Sequence, residues 1–166
     1  TILVSHNRDE VYRMCASVCV LDKGRSQKEM PVDALFSTPR TLAACLLSGC
    51  KNISRAEARG AFVFAKDWGV LLRCNAPLPP DFAFIGVRSQ HFALEEGPGE
   101  NTFLCRVQRQ IKNLHSVALM LETPGGGEGM SRLRLVLDQE RFNAICDFKQ
   151  VWVTVSPADI LLLSEE

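Results

Sequence analysis

The chain has 166 residues, 46% hydrophobic and 23% charged, with nineteen basic side chains balanced by nineteen acidic ones. That composition supplies a core for one ordinary domain or two small ones and excludes a disordered tail. A formal charge of zero gives no positive field to steer the chain to nucleic acid, and no polybasic run marks a membrane surface.

The chain opens on Thr1-Ile2-Leu3-Val4, without Met or a signal pattern, as a piece of a longer protein would. Residues 1–5 are predicted to form a buried strand, since no polar face interrupts them. Asn7 suits a helix N-cap, Glu10 stands at the capping-box position, and Asp9 and Glu10 place negative charge at the helix start. The helix carries Val11, Tyr12 and Met14. A second buried strand is expected at residues 18–21, with Asp22-Lys23-Gly24 turning into a short partner. Pro31 opens a helix through Ala34, Leu35 and Phe36. Another follows Pro39, with Leu42, Ala43, Leu46 and Leu47 at helical spacing, and stops at Gly49.

Residues 51–59 show no strong period and read as a linker. Beyond them the pattern alternates. Phe103, Cys105, Val107 and Ile111 share one face of a strand, Leu133, Leu135 and Leu137 another, Val151, Val153 and Val155 a third. Shorter strands are expected at residues 61–64, 70–74, 84–87 and 117–121, with helices at residues 140–148 and from Pro157. Many short strands with turns between them indicate a small sandwich or barrel, and a barrel removes open edges. No exact internal repeat is visible. Apolar runs such as residues 160–163 are too short to cross a bilayer.

The seven cysteines are odd in number and nowhere separated by two residues, so they read as reduced thiols, mostly in apolar stretches, in a reducing cytosol. The three histidines lie far apart, which offers no metal site. Leu3-Val4-Ser5-His6-Asn7-Arg8-Asp9-Glu10 places His6 beyond a strand's carboxyl end, where ligands collect in α/β sheets.

This stretch resembles the switch-histidine loop of ABC-transporter ATPases. Val20-Leu21-Asp22-Lys23-Gly24-Arg25 is similar to the hairpin that follows it in the family. Pro31-Val32-Asp33-Ala34-Leu35-Phe36-Ser37-Thr38-Pro39 is similar to the next helix. Departures are Ala16-Ser17 for the usual Asp-Arg, Ser26 for an apolar residue, and the lack of Gly before Pro31. The resemblance implies an α/β fragment, the end of a P-loop ATPase domain, over residues 1–52. It gives His6 the γ-phosphate contact of the intact ATPase. No Gly-x-x-x-x-Gly-Lys-Ser/Thr is present, so neither ATP binding nor hydrolysis is expected here; ATP and Mg belong to the intact parent. Leu47-Ser48-Gly49-Cys50-Lys51 follows the histidine and is no signature motif, and the glycine run at residues 125–129 reads as a hairpin loop.

Residues 53–166 resemble the TOBE/MOP-like accessory domain of molybdate, sulfate and sugar importers, a mostly-β, OB-like barrel. The residues that carry this are Ile85-Gly86-Val87-Arg88-Ser89-Gln90-His91, Asn101 with Phe103 and Val107, and Val153-Thr154-Val155-Ser156-Pro157-Ala158-Asp159-Ile160; Ser89 replaces the family's usual Pro. Thr41-Leu42-Ala43-Ala44 and Gly49-Cys50-Lys51-Asn52-Ile53-Ser54 look most like the molybdate and sulfate branch. The resemblance implies a regulatory barrel that binds the oxyanion (molybdate, tungstate or sulfate), with Arg88, Ser89, Lys112, Asn113 and Ser116 as donors. It also implies a homodimer with a second ATPase subunit, permease partners, and a cytoplasmic location on the inner face of the membrane. The alternatives are a structural dimerisation barrel and a single-strand nucleic-acid binder. The second needs basic and aromatic residues interleaved on one exposed face, whereas Phe62, Phe64, Phe84 and Phe103 read as apolar, so no nucleic acid is expected. Apart from its sheet, the N-terminal piece is expected to self-associate.

Overall fold

The structure, a computed structural model, describes residues 2–125, 132–143 and 149–165. Residues 2–7 form no strand, which corrects the buried strand expected at residues 1–5: Ile2 and Val4 are 92% and 84% exposed. Apolar character supplies no hydrogen-bond partner, and no described strand runs beside this segment. Helix α1 (Arg8–Met14) then starts at Asn7, whose Oδ1 accepts from the N–H groups of Asp9 and Glu10 at 3.1 and 3.3 Å. Glu10 closes the cap through Ser5, whose hydroxyl donates to Glu10 at 2.6 Å and accepts from the Asn7 N–H at 3.0 Å.

The single strand expected at residues 18–21 is instead divided between two ladders. Strand β1 (Ser17–Val18) pairs with β4 (Met30–Pro31), whereas β2 (Leu21–Asp22) pairs with β3 (Arg25–Ser26) across the expected Lys23-Gly24 turn. Helices α2 (Val32–Ser37) and α3 (Leu42–Leu47) follow, the latter capped by Thr41. Val20, Leu35 and Ala44 form the small core of this segment.

The linker expected at residues 51–59 is strand β5 (Asn52–Arg59). It lies between β6 (Phe62–Ala65) and β8 (Phe84–Val87), and β7 (Val70–Arg73) completes the run. Asn52 and Ser54 are buried and hydrogen-bonded, so polar residues that look like a loop in the sequence occupy a sheet centre. Next come β9 (Phe92–Glu95), β10 (Thr102–Lys112), β11 (Ser116–Glu122) and β12 (Arg132–Asp138). Helix α4 (Gln139–Asn143) covers the start of the helix expected at residues 140–148. Residues 144–148, and all of the glycine run except Gly125, lie outside the described residues. The chain closes with β13 (Gln150–Val155), a 3-10 turn at Pro157–Asp159 and β14 (Leu161–Leu163).

Two five-stranded antiparallel sheets result, in the orders β7-β6-β5-β8-β14 and β12-β11-β10-β13-β9. These are one plan used twice. Strands β5 to β8 correspond to β10 to β13, and each repeat sends its last strand to the other sheet: β9 pairs with β13, and β14 with β8. The joints obey the same symmetry. Asn52 accepts from Arg134 N–H at 2.6 Å and donates to the Arg134 carbonyl at 3.0 Å. Asn101 accepts from Arg73 N–H at 2.7 Å and donates to the Arg73 carbonyl at 2.8 Å. Val136 donates to the Ser89 carbonyl, as Asn75 does to that of Pro157. The two equivalent turns meet where His91 Nδ1 stands 3.1 Å from Asp159 Oδ1. One core spans both sheets, from Trp68, Leu72 and Ile85 to Leu119, Leu135 and Val153.

Candidate functional site

Three places hold the residues singled out in the sequence. His6 is exposed ahead of α1, and no described hydrogen bond or ion pair joins it to the barrel candidates. Arg88 and Ser89 lie at the crossover after β8. The Arg88 guanidinium donates to the Ser48 carbonyl and hydroxyl, each at 3.2 Å, and to the Phe36 carbonyl. Those carbonyls end α3 and α2, where unpaired C=O groups and the helix dipole favour a cation. Arg88 therefore fastens the helical segment to the barrel. The Ser89 carbonyl accepts from Val136 on β12 at 3.2 Å.

Lys112, Asn113 and Ser116 come together at the tip of the β10–β11 hairpin. The Asn113 N–H donates to the Ser116 carbonyl at 2.8 Å, its Nδ2 lies 3.5 Å from Ser116 Oγ, and Lys112 stands opposite Val117. The tip is exposed, Leu114 to 88%. Strand β12 lies between Ser116 and the Ser89 backbone, so two sheet spacings, about 10 Å or more, separate the two serines. The five expected donors thus form two groups.

The alternating pattern concealed a further group on the same hairpin. A bulge between Val107 and Arg109 shifts the register of β10, so Arg109 and Ile111 share the outer face with Met120. With Gln108 and Arg132 they line a shallow concavity of about 400 Å³. Arg134 stands opposite Met120 on that face, and its Nε is buried without a hydrogen-bond partner among the described residues. The nearby carboxylate, Glu122, accepts from Arg106 and from Gln108 at 3.1 Å. These bonds, Arg106 first, hold its pKa below the usual carboxylate range. The result is two arginines over an apolar floor, with Arg134 on the same sheet face and the nearby acid already engaged. The sequence signal was the basic spacing Arg106, Arg132, Arg134, which alternation assigned to solvated faces, while it put Arg109 on the apolar face of β10.

The phenylalanines need correction as well. Phe62 is 42% exposed, and Phe64 lies under the Arg59 guanidinium at 3.8 Å, on the outer face of β5–β7. Inward positions on β6 are taken by Val63 and Ala65, which turns both rings outward. The cations there are paired: Arg55 with Asp67, Arg59 and Lys66 with Glu57, Arg73 with Glu100.

Among the described residues no group of three or more His, Cys, Asp or Glu side chains is arranged to hold a metal ion. No described helix is long and apolar enough to cross a membrane. The chain matches no protein-family model, and no curated protein is significantly similar to it. Among solved structures it is similar to ModG, a cytoplasmic molybdate-binding protein, in a PEG-grown crystal form with molybdate bound. The TM-score is 0.52 at 10% identity, over 69% of this chain and 96% of that one. At that identity the likeness establishes the fold: a mostly-β, OB-like barrel architecture shared with ModG.

Proposed function

We propose that the barrel binds a tetrahedral oxyanion of the molybdate, tungstate and sulfate class through its β10–β11 hairpin. The observation that carries this is the fold shared with ModG, a protein described as binding molybdate. The geometry that supports it is the concavity with Arg109 and Arg132, with Arg134 on the same sheet face and Ser116 and Asn113 at the tip beyond it; Lys112 lies on the other face of the hairpin. Guanidinium, amide and hydroxyl donors suit an oxyanion, and among the described residues that line the concavity there is no carboxylate.

The switch-histidine segment around His6 supports a wider reading. The chain is then the C-terminal part of the ATP-binding subunit of an ABC importer, held at the inner face of the membrane by its permease. ATP and Mg belong to the intact subunit, this chain alone does not hydrolyse ATP, and the barrel regulates or dimerises the ATPase. A homodimer would cover the exposed tip, where a hydrated anion otherwise gains little from one lysine.

Calorimetric titration with molybdate, tungstate and sulfate tests the binding. Saturable heat is expected with at least one anion, weakened about tenfold or more in Arg109→Ala, in line with loss of a charged hydrogen bond. No heat with any of the three would overturn it. A structural dimerisation barrel is the second reading, favoured by Arg88, whose donors hold helices rather than facing solvent. A dimer that persists without ligand and gives no heat would support it. Single-strand nucleic acid is a poorer fit, because phosphates would have to break the ion pairs around Phe62 and Phe64.

A further inference from the structure

Helix α3 ends in a Schellman motif. The Cys50 N–H donates to the Cys45 carbonyl at 3.1 Å and the Gly49 N–H to the Leu46 carbonyl at 3.0 Å, with Gly49 at φ +95°. This closure folds the side chain just past the turn back onto one in the last helical turn, a contact that apolar residues usually make. Here both are cysteine. The Cys50 thiol donates to the Asn52 carbonyl oxygen at 3.6 Å, and the Cys45 thiol lies beside the Cys50 sulfur. Both are buried, at 0% and 1% exposure, and pack with Ile53 and Leu163. Across from them the barrel wall is cut back: a Cβ at Gly86 would stand 2.9 Å from Cys45 Sγ.

The electrostatics divide the pair. The hydrogen bond from Cys45 and, more weakly, the Arg88 charge pull the Cys50 pKa below that of an ordinary thiol against the cost of burial. The same bond, together with burial, pushes Cys45 up. Of the two, Cys50 is the readier to give up its proton.

We propose that Cys45 and Cys50 are an oxidation site, closing to a reversible internal disulfide when a small hydroperoxide reaches them. With hydrogen peroxide, the Cys50 thiolate attacks one peroxide oxygen and the O–O bond breaks. Hydroxide leaves and takes up a proton to become water, and Cys50 becomes a sulfenic acid. The Cys45 sulfur then displaces the sulfenic oxygen, which departs as a second water with the Cys45 proton. Two thiols lose two electrons, and the peroxide gains them. The new bond ties the end of α3 to the start of β5, beside the Arg88 anchor. A dithiol reductant reverses it.

Arg40 and Lys51 bracket a tryptic peptide, residues 41–51, that contains these two cysteines and no other. The folded full chain is exposed to hydrogen peroxide, quenched, denatured, alkylated and mapped by mass. The peptide should appear unalkylated and two hydrogens lighter than its dithiol form, recover with dithiothreitol, and be oxidised about tenfold faster than Cys105. Cys105 is the internal control, equally buried, with its pKa pushed up by burial to about 12. In Cys45→Ser, Cys50 should stop at a sulfenic acid that dimedone traps. Alkylation of both cysteines after treatment, or closure equally fast in denaturant, would overturn the proposal, the second because the folded turn would then contribute nothing.

Discussion

Replacing Asn52 by Ala removes a side chain that joins the two sheets. Asn52 is 1% exposed and makes three hydrogen bonds to backbone: Arg134 N–H at 2.6 Å, the Arg134 carbonyl at 3.0 Å and the Val87 carbonyl at 3.1 Å. At a net value of about 1 kcal/mol each, their loss costs about 3 kcal/mol, and the stranded backbone groups raise that to about 3–5 kcal/mol. For a stability of about 5–15 kcal/mol this is a large share. With a slope of about 2 kcal/mol per M, the urea midpoint should fall by about 1.5 M or more without a change in slope. The pseudo-symmetric Asn101 supplies the control. It bonds only Arg73 through its side chain, but it holds φ at +50°. Asn101→Gly should therefore be milder than Asn101→Ala by about 1 kcal/mol, the cost of a left-handed alanine. A midpoint shift under about 0.5 M for Asn52→Ala, at the slope of about 2 kcal/mol per M used above, would show that the clip is not what joins the sheets.

Two further outcomes follow from the first repeat. Burial disfavours the charged form of Asp67, but bonds from the Arg55 side chain, the Arg55 N–H and Ser54 outweigh it and hold its pKa below the usual range. A depressed folded pKa means stability that is present above the unfolded value of about 4 and lost as pH falls below it. Urea midpoints measured downward from pH 6 should decline more steeply in the parent chain than in Asp67→Asn; equal slopes would remove this role. Gly69 sits at φ +66°, and a Cβ there would stand 2.6 Å from Gly125 Cα, while Gly60, at φ +63°, faces open space. Gly60→Ala should cost about 1–2 kcal/mol in thermal unfolding and Gly69→Ala clearly more. Equal losses would mean that the two loops need not touch.

The candidate site was only partly legible. The Lys112-Asn113-Ser116 tip follows from two alternating runs separated by polar residues, and the structure brings those three together. The concavity beside them depends on one bulged residue. An unbroken alternation places Arg109 on the face opposite Arg106, and only the pairing with β11 shows the shift. Arg88 illustrates a different limit. Its charge suggested an anion donor, but the position of two helix ends some forty and fifty residues earlier gave its guanidinium other acceptors.

Local chemistry settled what local forces control. The Asn7 cap, the Lys23-Gly24 turn, the helix stop at Gly49, the helix start at Pro157, and the strands of period two can be read directly, because each depends on neighbours within a few residues. Long-range partners decided the rest. Residues 2–5 have strand character and no described neighbour, so they are no strand; residues 52–59 have loop character and two neighbours, so they are one. The repeat itself escaped detection because it preserves hydrogen-bonded positions such as Asn52 and Asn101, not side-chain identity along the chain. Which sheet receives β9 and β14 is settled by closure of a common core, a condition no single segment carries.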